Sequence, residues 1–281
     1  MQDYLYESFD YNSEDFISVC DELSLWSAPF GVKLLDKLPI RKKLNLLDVG
    51  PGTGFPLLEI AQRLGRSSTV FGIDPWTMAL KRIEQKIQTI GLKNVILVEG
   101  SIEKTPFQDD YFAIIVSNNG LNNVEDINIA FSECFRILKP GGKLLFTFNL
   151  PDTMKEFYSV FESVLRDENL IEEVALLKEH IFLKRKPPEF FIDLLHKNRF
   201  VLNEVVTDSF NYRFADGTSF FNYYFIKFAF LEPWKNIVKQ ENMESVFTKI
   251  EQTLNVNAEE IGELSLTIPF AFIDCEKPAE F

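Results

Sequence analysis

The chain has 281 residues, 46% of them hydrophobic, enough to bury a sizeable core and too apolar for a disordered chain. Its formal net charge of -13 and sequence pI near 4.8 oppose a phosphate backbone, so small-molecule chemistry is expected rather than nucleic-acid binding. Cys20, Cys134 and Cys275 form neither a CxxC pair nor an even framework, and no apolar run approaches the ~20 residues of a membrane span. With an acidic N-terminal stretch unlike a signal peptide, these features predict a cytoplasmic protein without a structural metal or membrane partner.

In chain order, Phe16, Ile17, Val19, Cys20 and Leu23, then Val32, Leu34, Leu35 and Leu38, recur at helical spacing. Two helices are predicted across Glu14–Leu38, with a break at Pro29-Phe30-Gly31. Tyr4, Tyr6, Phe9 and Tyr11 precede them on a segment that either packs on the surface or folds over a site. Strands are predicted at Leu44–Val49, Thr69–Ile73, Val95–Val98, Phe112–Ser117 and Lys143–Phe148, each read as buried on both faces. Between them, helices at Pro56–Leu64, Thr77–Ile90 and Val124–Leu138 are closed by Gly65, Gly91 and Lys139-Pro140-Gly141-Gly142. The alternation predicts an α/β fold, a parallel sheet with right-handed crossover helices that gathers functional loops at the carboxyl ends of the strands.

Those ends carry the informative residues. The first strand runs into Asp48-Val49-Gly50-Pro51-Gly52-Thr53-Gly54, a glycine-rich turn that lets a ligand lie against bare amides. The dinucleotide pattern G-x-G-x-x-G would need a third glycine at Phe55, and Asp48 suits a cationic ligand better than pyrophosphate. The second strand ends at Asp74, followed by Pro75 and Trp76; an acid here either holds a ribose diol or caps the next helix. After the third strand, Ser101 offers a hydroxyl and Ile102 an apolar face to an adenine ring. The fourth strand ends in Asn118-Asn119-Gly120-Leu121-Asn122-Asn123, more amides than turn formation alone requires.

Taken in order, Leu47-Asp48-Val49-Gly50-Pro51-Gly52-Thr53-Gly54, Gly72-Ile73-Asp74, the segment Ser101 to Phe107 and Phe135-Arg136-Ile137-Leu138-Lys139-Pro140-Gly141-Gly142-Lys143-Leu144 resemble four motifs of the class I S-adenosylmethionine-dependent methyltransferases. The resemblance covers roughly Asn45 to Asn149 and is nearest to the small-molecule branch that includes the quinone-biosynthesis C-methyltransferases. It implies a Rossmann-like, doubly wound, mostly parallel seven-stranded sheet with an antiparallel last strand and helical cap insertions. It also implies S-adenosyl-L-methionine as cofactor, with Gly50, Pro51, Gly52 and Gly54 around the methionine part and Asp48 near its ammonium. Asp74 would take the ribose hydroxyls, Pro75 or Trp76 and Ile102 would sandwich the adenine, and Asn118 and Asn119 would close the methionine side. Ser101 stands where the family often has an acid on the adenine amino group, and Asn122-Asn123 where related chains often have histidine.

Beyond Leu150, a helix at Pro188–Lys197 and strands near Phe200–Val206 and Leu264–Ile273 complete the expected core. The chain then reads as one methyltransferase domain with core 40–150, 187–216 and 262–281 and caps 1–39, 151–186 and 217–261. Asp152–Phe182 is amphipathic, and Gly217–Asn255 is dense in rings that either line a pocket for an apolar or aromatic acceptor or form the cap's own core. Methyl transfer is an in-line displacement needing no protein nucleophile, and neither His180 nor His196 is identified as a base. A cofactor-binding regulatory protein without transferase activity is the alternative reading. No oligomeric state is legible.

Overall fold

The structure, a computed structural model, describes residues 2–22 and 26–279. Leu23, counted above in the first apolar stripe, lies outside them. The chain divides into two compact units: one of Tyr11–Asn149, Pro187–Asp208 and the residues from Phe270, the other of the residues up to Asp10, Leu150–Lys186 and Ser209–Pro269.

The sheet has seven strands, β1 (Asn45–Val49), β2 (Thr69–Asp74), β3 (Val95–Glu99), β4 (Phe112–Asn118), β5 (Leu138–Asn149), β6 (Val201–Phe214) and β7 (Leu264–Glu276), in the order β3-β2-β1-β4-β5-β7-β6; β1 through β5 belong to the first unit, while β6 from Ser209 and β7 up to Pro269 are counted with the second. β1 through β5 pair in parallel, while β7 lies antiparallel to β5 with Phe146 opposite Ile273. The order reverses between β1 and β4, where an open sheet of this kind leaves a crevice at the carboxyl ends of its strands.

Apolar side chains on one face, Leu46, Val70, Val116 and Leu145, meet Leu34, Leu57, Ile60 and Ile83 in a continuous core. These come from α2 (Ala28–Lys37), α3 (Leu57–Leu64) and α4 (Thr77–Ile90). Rings dominate elsewhere: Phe131 on α5 (Ile127–Ile137) packs against Phe146 with centroids 5.6 Å apart, and Phe191 on α8 (Pro188–Lys197) against Phe148 at 4.1 Å. Each buried ring removes a large apolar area from water, the main favourable contribution to folding.

Several boundaries differ from the sequence expectation for local reasons. Pro29-Phe30-Gly31 is not a break: Pro29 sits in the first turn of α2, where its missing N–H costs nothing, and the helix continues through Gly31. Gly31 is required there because a Cβ would stand 2.2 Å from the Phe55 ring. Lys139-Pro140-Gly141-Gly142 is not a helix stop in a loop but the start of β5, with an irregular step between Phe112 and Ile114 of its partner. β3 is an edge strand, and Ile96 on it is 46% exposed, so it is not buried on both faces. Residues 11–39, grouped in sequence with the caps, fall in the sheet unit; there Phe30 packs against Phe270 at 4.7 Å, and α2 contacts β4 and β5. Residues 262–269, read as core, fall in the second unit.

The second unit is largely helical. The amphipathic stretch Asp152–Phe182 forms two helices, α6 (Lys155–Asp167) and α7 (Ile171–Lys184), separated where Asn169 adopts φ 58. The aromatic stretch forms α9 (Gly217–Asn222), α10 (Tyr224–Ile226), a π-helical turn (Lys227–Leu231), α11 (Glu232–Lys235) and the long α12 (Gln240–Ile261). Phe157, Phe220, Phe221 and Trp234 are fully buried, with Phe157 and Trp234 rings 4.3 Å apart, so these rings make the core of this unit. Tyr4 is buried with them, stacked on Phe221 at 5.0 Å and donating its hydroxyl to Glu251 at 2.8 Å. Among the described residues no helix is long and apolar enough to cross a membrane.

Leu145 on β5 is fully buried, whereas Val201 on β6 is 47% exposed. Leu145→Ala is expected to cost about 2–5 kcal/mol of unfolding free energy, and Val201→Ala no more than about 0.5 kcal/mol, as checked by denaturant midpoints.

Candidate functional site

At the reversal of strand order the loops after β1 and β4 meet with no room for side chains. Gly50, at φ 72, donates its N–H to Ile73 O at 2.9 Å. A Cβ built on it would lie 2.9 Å from Gly120 Cα, and one on Gly120 would lie 2.3 Å from Val49 O. Ser117 fastens the contact, donating its hydroxyl to Val49 O at 2.8 Å and accepting from Leu121 N–H at 3.0 Å.

Asp74 links the next pair of loops. Its Oδ2 accepts from Gly52 N–H and its Oδ1 from Trp76 N–H, both at 2.9 Å. The N-cap of α4 is Trp76, which makes no side-chain cap bond, so Asp74 is not the helix cap. Burial pushes the Asp74 carboxyl above its ordinary range, and the two backbone N–H groups oppose that.

Between these loops lies a cavity of about 630 Å³. Of the residues expected to form a site, Gly50, Asp74, Pro75, Trp76, Ser101, Ile102 and Asn119 line it. Ile102 is 2% exposed. Trp76 is held by its indole N–H donating to Tyr11 O at 3.1 Å, with Phe16 packed nearby at 6.4 Å. The Ser101 hydroxyl is already committed, donating to Glu103 Oε2 at 2.5 Å, while Glu103 Oε1 accepts from Asp126 N–H at 2.6 Å. Asn119 is held at φ 60, and both its amide atoms are buried without a hydrogen-bond partner. That is a costly arrangement for a group that faces only protein.

Other expected residues stand behind this wall. Gly52 points its amide at Asp74, Gly54 packs against Leu58, and Pro51 against the Gly72 backbone. Asn118 does not face the cavity: its Nδ2 donates to Ser27 O at 3.1 Å and its Oδ1 accepts from Thr147 Oγ1 at 2.9 Å, tying β4 to β5 and the start of α2. Glu103, Asn123, Val124 and Glu125 line the cavity as well. The sequence spacing predicts Val124 and Glu125 in a helix, but α5 begins only at Ile127, because the Asp126 side chain caps it by accepting from Asn128 and Ile129 N–H at 2.9 and 3.1 Å. Asp126 is the sequence signal that would have left both residues on the loop.

The lining contains three acids, Asp74, Glu103 and Glu125, and no Lys, Arg or His. A pyrophosphate would enter this field without a counter-charge; a cationic, hydroxyl-bearing ligand would not. Asp48, on β1, is fully buried, and neither of its oxygens has a hydrogen-bond partner. Its pKa is pushed up to about 8, first by burial and then by the charge of Asp74; the Leu57 backbone N–H opposes this without reaching hydrogen-bond geometry. Among the described residues no group of His, Cys, Asp or Glu is placed to hold a metal ion.

Because the folded-state pKa of Asp48 lies above its ordinary value of 3.8, between about pH 4 and 8 the native state still holds a proton that the unfolded state has released. Stability from this group is full at low pH and is lost as pH rises through about 8. Asp48→Asn is therefore expected to match the ligand-free wild type near pH 3.5 and to exceed it increasingly as pH rises, by roughly a few kcal/mol at pH 8.5, in denaturant titrations run across that range.

Comparison with known proteins follows the same residues. A family profile described as "Methyltransferase domain" matches residues 47–146. Over 132 residues the chain is 30% identical to a demethylmenaquinone methyltransferase of Anoxybacillus flavithermus, covering 47% of this chain and 56% of that one. Over 126 residues it is 34% identical to a ubiquinone/menaquinone biosynthesis C-methyltransferase of Proteus mirabilis, covering 43% and 50%. The chain thus spans about half the length of the curated relatives it matches. The YcgJ protein of Bacillus subtilis superposes with a TM-score of 0.58 over 90% of this chain and 99% of that one at 15% identity, a likeness of fold. With the strand order, these matches identify a methyltransferase domain over residues 47–146.

Proposed function

We propose that the chain transfers a methyl group from S-adenosylmethionine to a small apolar or aromatic acceptor. The observation that carries the choice of cofactor is the cavity lined by acids and free of cations, at the switch point of a methyltransferase sheet. The residues fit that cofactor on their own chemistry. Asp74 retains lone pairs for ribose hydroxyls beyond the two it gives to backbone N–H groups. Ile102 and Trp76 offer apolar surfaces for an adenine, with Pro75 beside Trp76. Gly50, Pro51, Gly52 and Gly54 keep the loop narrow, and the unpartnered Asn119 amide offers a donor and an acceptor to a methionine carboxylate and ammonium. Asp48, protonated in the empty fold, would ionise as a ligand ammonium arrives. Ser101, bonded to Glu103, and Asn118, bonded to Thr147, act by holding their loops in place.

The bound cofactor would supply an electrophilic methyl group on a sulfonium. The protein's part is then alignment and exclusion of water, which cost little at the moment of reaction because the loops are already fixed by Gly50, Gly120, Ser117 and Asp74. His180 is a poor candidate for a base, since burial first, then the charges of Arg185 and Lys184, lower its pKa to about 4. The names of the quinone-biosynthesis relatives support an aromatic acceptor.

Titration calorimetry with S-adenosylhomocysteine tests the reading: binding to the wild type is expected, with Asp74→Ala weakening it roughly 10-fold or more, as for a lost hydrogen bond to a charged group. Unchanged affinity in Asp74→Ala would remove the site assignment. The same titration at pH 7, repeated in buffers of different ionisation enthalpy, is expected to show proton release, because a ligand ammonium favours the ionised form of Asp48.

A further inference from the structure

In the helical unit, Arg185 follows the last turn of α7 and is 3% exposed. Its Nη1 donates to the Tyr158 hydroxyl at 2.9 Å, and its guanidinium lies 4.8 Å from the Tyr158 ring centroid. Its Nε is buried and has no hydrogen-bond partner, and among the described residues no carboxylate forms an ion pair with it. The buried carboxylate on the same helix, Glu173, is twelve residues earlier, about 18 Å along the axis, and has an unpartnered oxygen of its own. A buried guanidinium without a counter-ion is among the costliest arrangements in a protein interior. The Tyr158 ring and the carbonyl end of α7 compensate it in part, but neither fills the empty donor direction at Nε.

Tyr158 sharpens the picture. Its oxygen accepts from Trp234 Nε1 at 2.8 Å as well as from Arg185, so its own O–H remains to be donated, and no acceptor for it is present among the described residues. The effect of the uncompensated charge reaches His180, whose ring lies 6.4 Å from that of Tyr158 and whose pKa the Arg185 charge helps to lower. One cation and two unused donors, at Arg185 Nε and Tyr158 Oη, stand beside two flat rings.

We propose that Arg185 and Tyr158 form a binding site for an anionic oxygen group, a carboxylate or phosphate, carried by an aromatic ligand. The guanidinium supplies the counter-charge and its Nε–H one hydrogen bond, the Tyr158 hydroxyl supplies a second, and the half-buried His180 ring, 6.4 Å from that of Tyr158, offers flat surface to the ligand's ring.

Thermal unfolding of the full chain with benzoate or phenyl phosphate, against sodium chloride at equal ionic strength, tests this. The wild type is expected to gain about 5 °C near a hundredfold excess over Kd with at least one of the two, their ratio telling carboxylate from phosphate. Arg185→Met is expected to lose the gain and Arg185→Lys to keep part of it. A gain equal in Arg185→Met, or none beyond the chloride control with either probe, overturns the proposal. If Arg185→Met does not fold, the Arg185 Nε–H resonance of the wild type decides: it moves on adding the probe that raises the melting temperature, and an unmoved resonance overturns the assignment. S-adenosylhomocysteine titration of the wild type reports separately on the methyltransferase reading.

Discussion

The contact between Gly50 and Gly120 is the constraint on which the cavity depends. Parallel strands β1 and β4 are neighbours, yet their helices lead to opposite faces of the sheet, so the two loops must pass each other at the carboxyl edge. With Gly120 Cα 2.9 Å from where a Gly50 Cβ would be, both positions must be bare, and Ser117 locks the approach through Val49 O. The crevice on either side of that contact follows from backbone alone, before any side chain is considered.

Electrostatics then select what the crevice accepts. Of its lining acids, Asp74 and Glu103 have backbone N–H groups or a hydroxyl for partners, no Lys, Arg or His lines it, and Asp48 holds its proton to about pH 8 because it is buried near Asp74. The arrangement disfavours phosphate and favours an ammonium that would draw Asp48 into its charged form. Folding stability and ligand binding therefore bear in opposite directions on Asp48: the empty fold prefers the acid, a cationic ligand the carboxylate. Such opposition between stability and function is common at sites whose polar groups await a partner.

The sheet was legible because its strands are short, apolar and separated by helices with Gly65 and Gly91 at their ends, and α4 and α8 fall on the residues read for them. Strand ends and motif spacing likewise led to Asp74, Ile102 and Asn119. The failures come where tertiary contacts decide. Local propensity misleads at Pro29 and the Lys139–Gly142 run, and the family resemblance at Asn118, because a first-turn position, an irregular strand pairing and the demands of Ser27 and Thr147 decide them. The rings of Gly217–Asn255 gave no period separating core from pocket, and burial of Phe220, Phe221 and Trp234 comes from tertiary packing that spacing does not encode. Arg185 is illegible for a similar reason: a charge within Lys184-Arg185-Lys186 reads as solvated, and only its burial makes it notable.

The central claim is that the cavity beside Asp74 is the cofactor's seat. A crystal structure of the full chain with S-adenosylhomocysteine tests it most directly. The account predicts the ribose hydroxyls on Asp74, the adenine against Ile102 and the amino-acid end at Asn119 above the Gly50–Gly54 turn. Density for the ligand elsewhere, or a cavity that stays empty at saturating concentration, would contradict it.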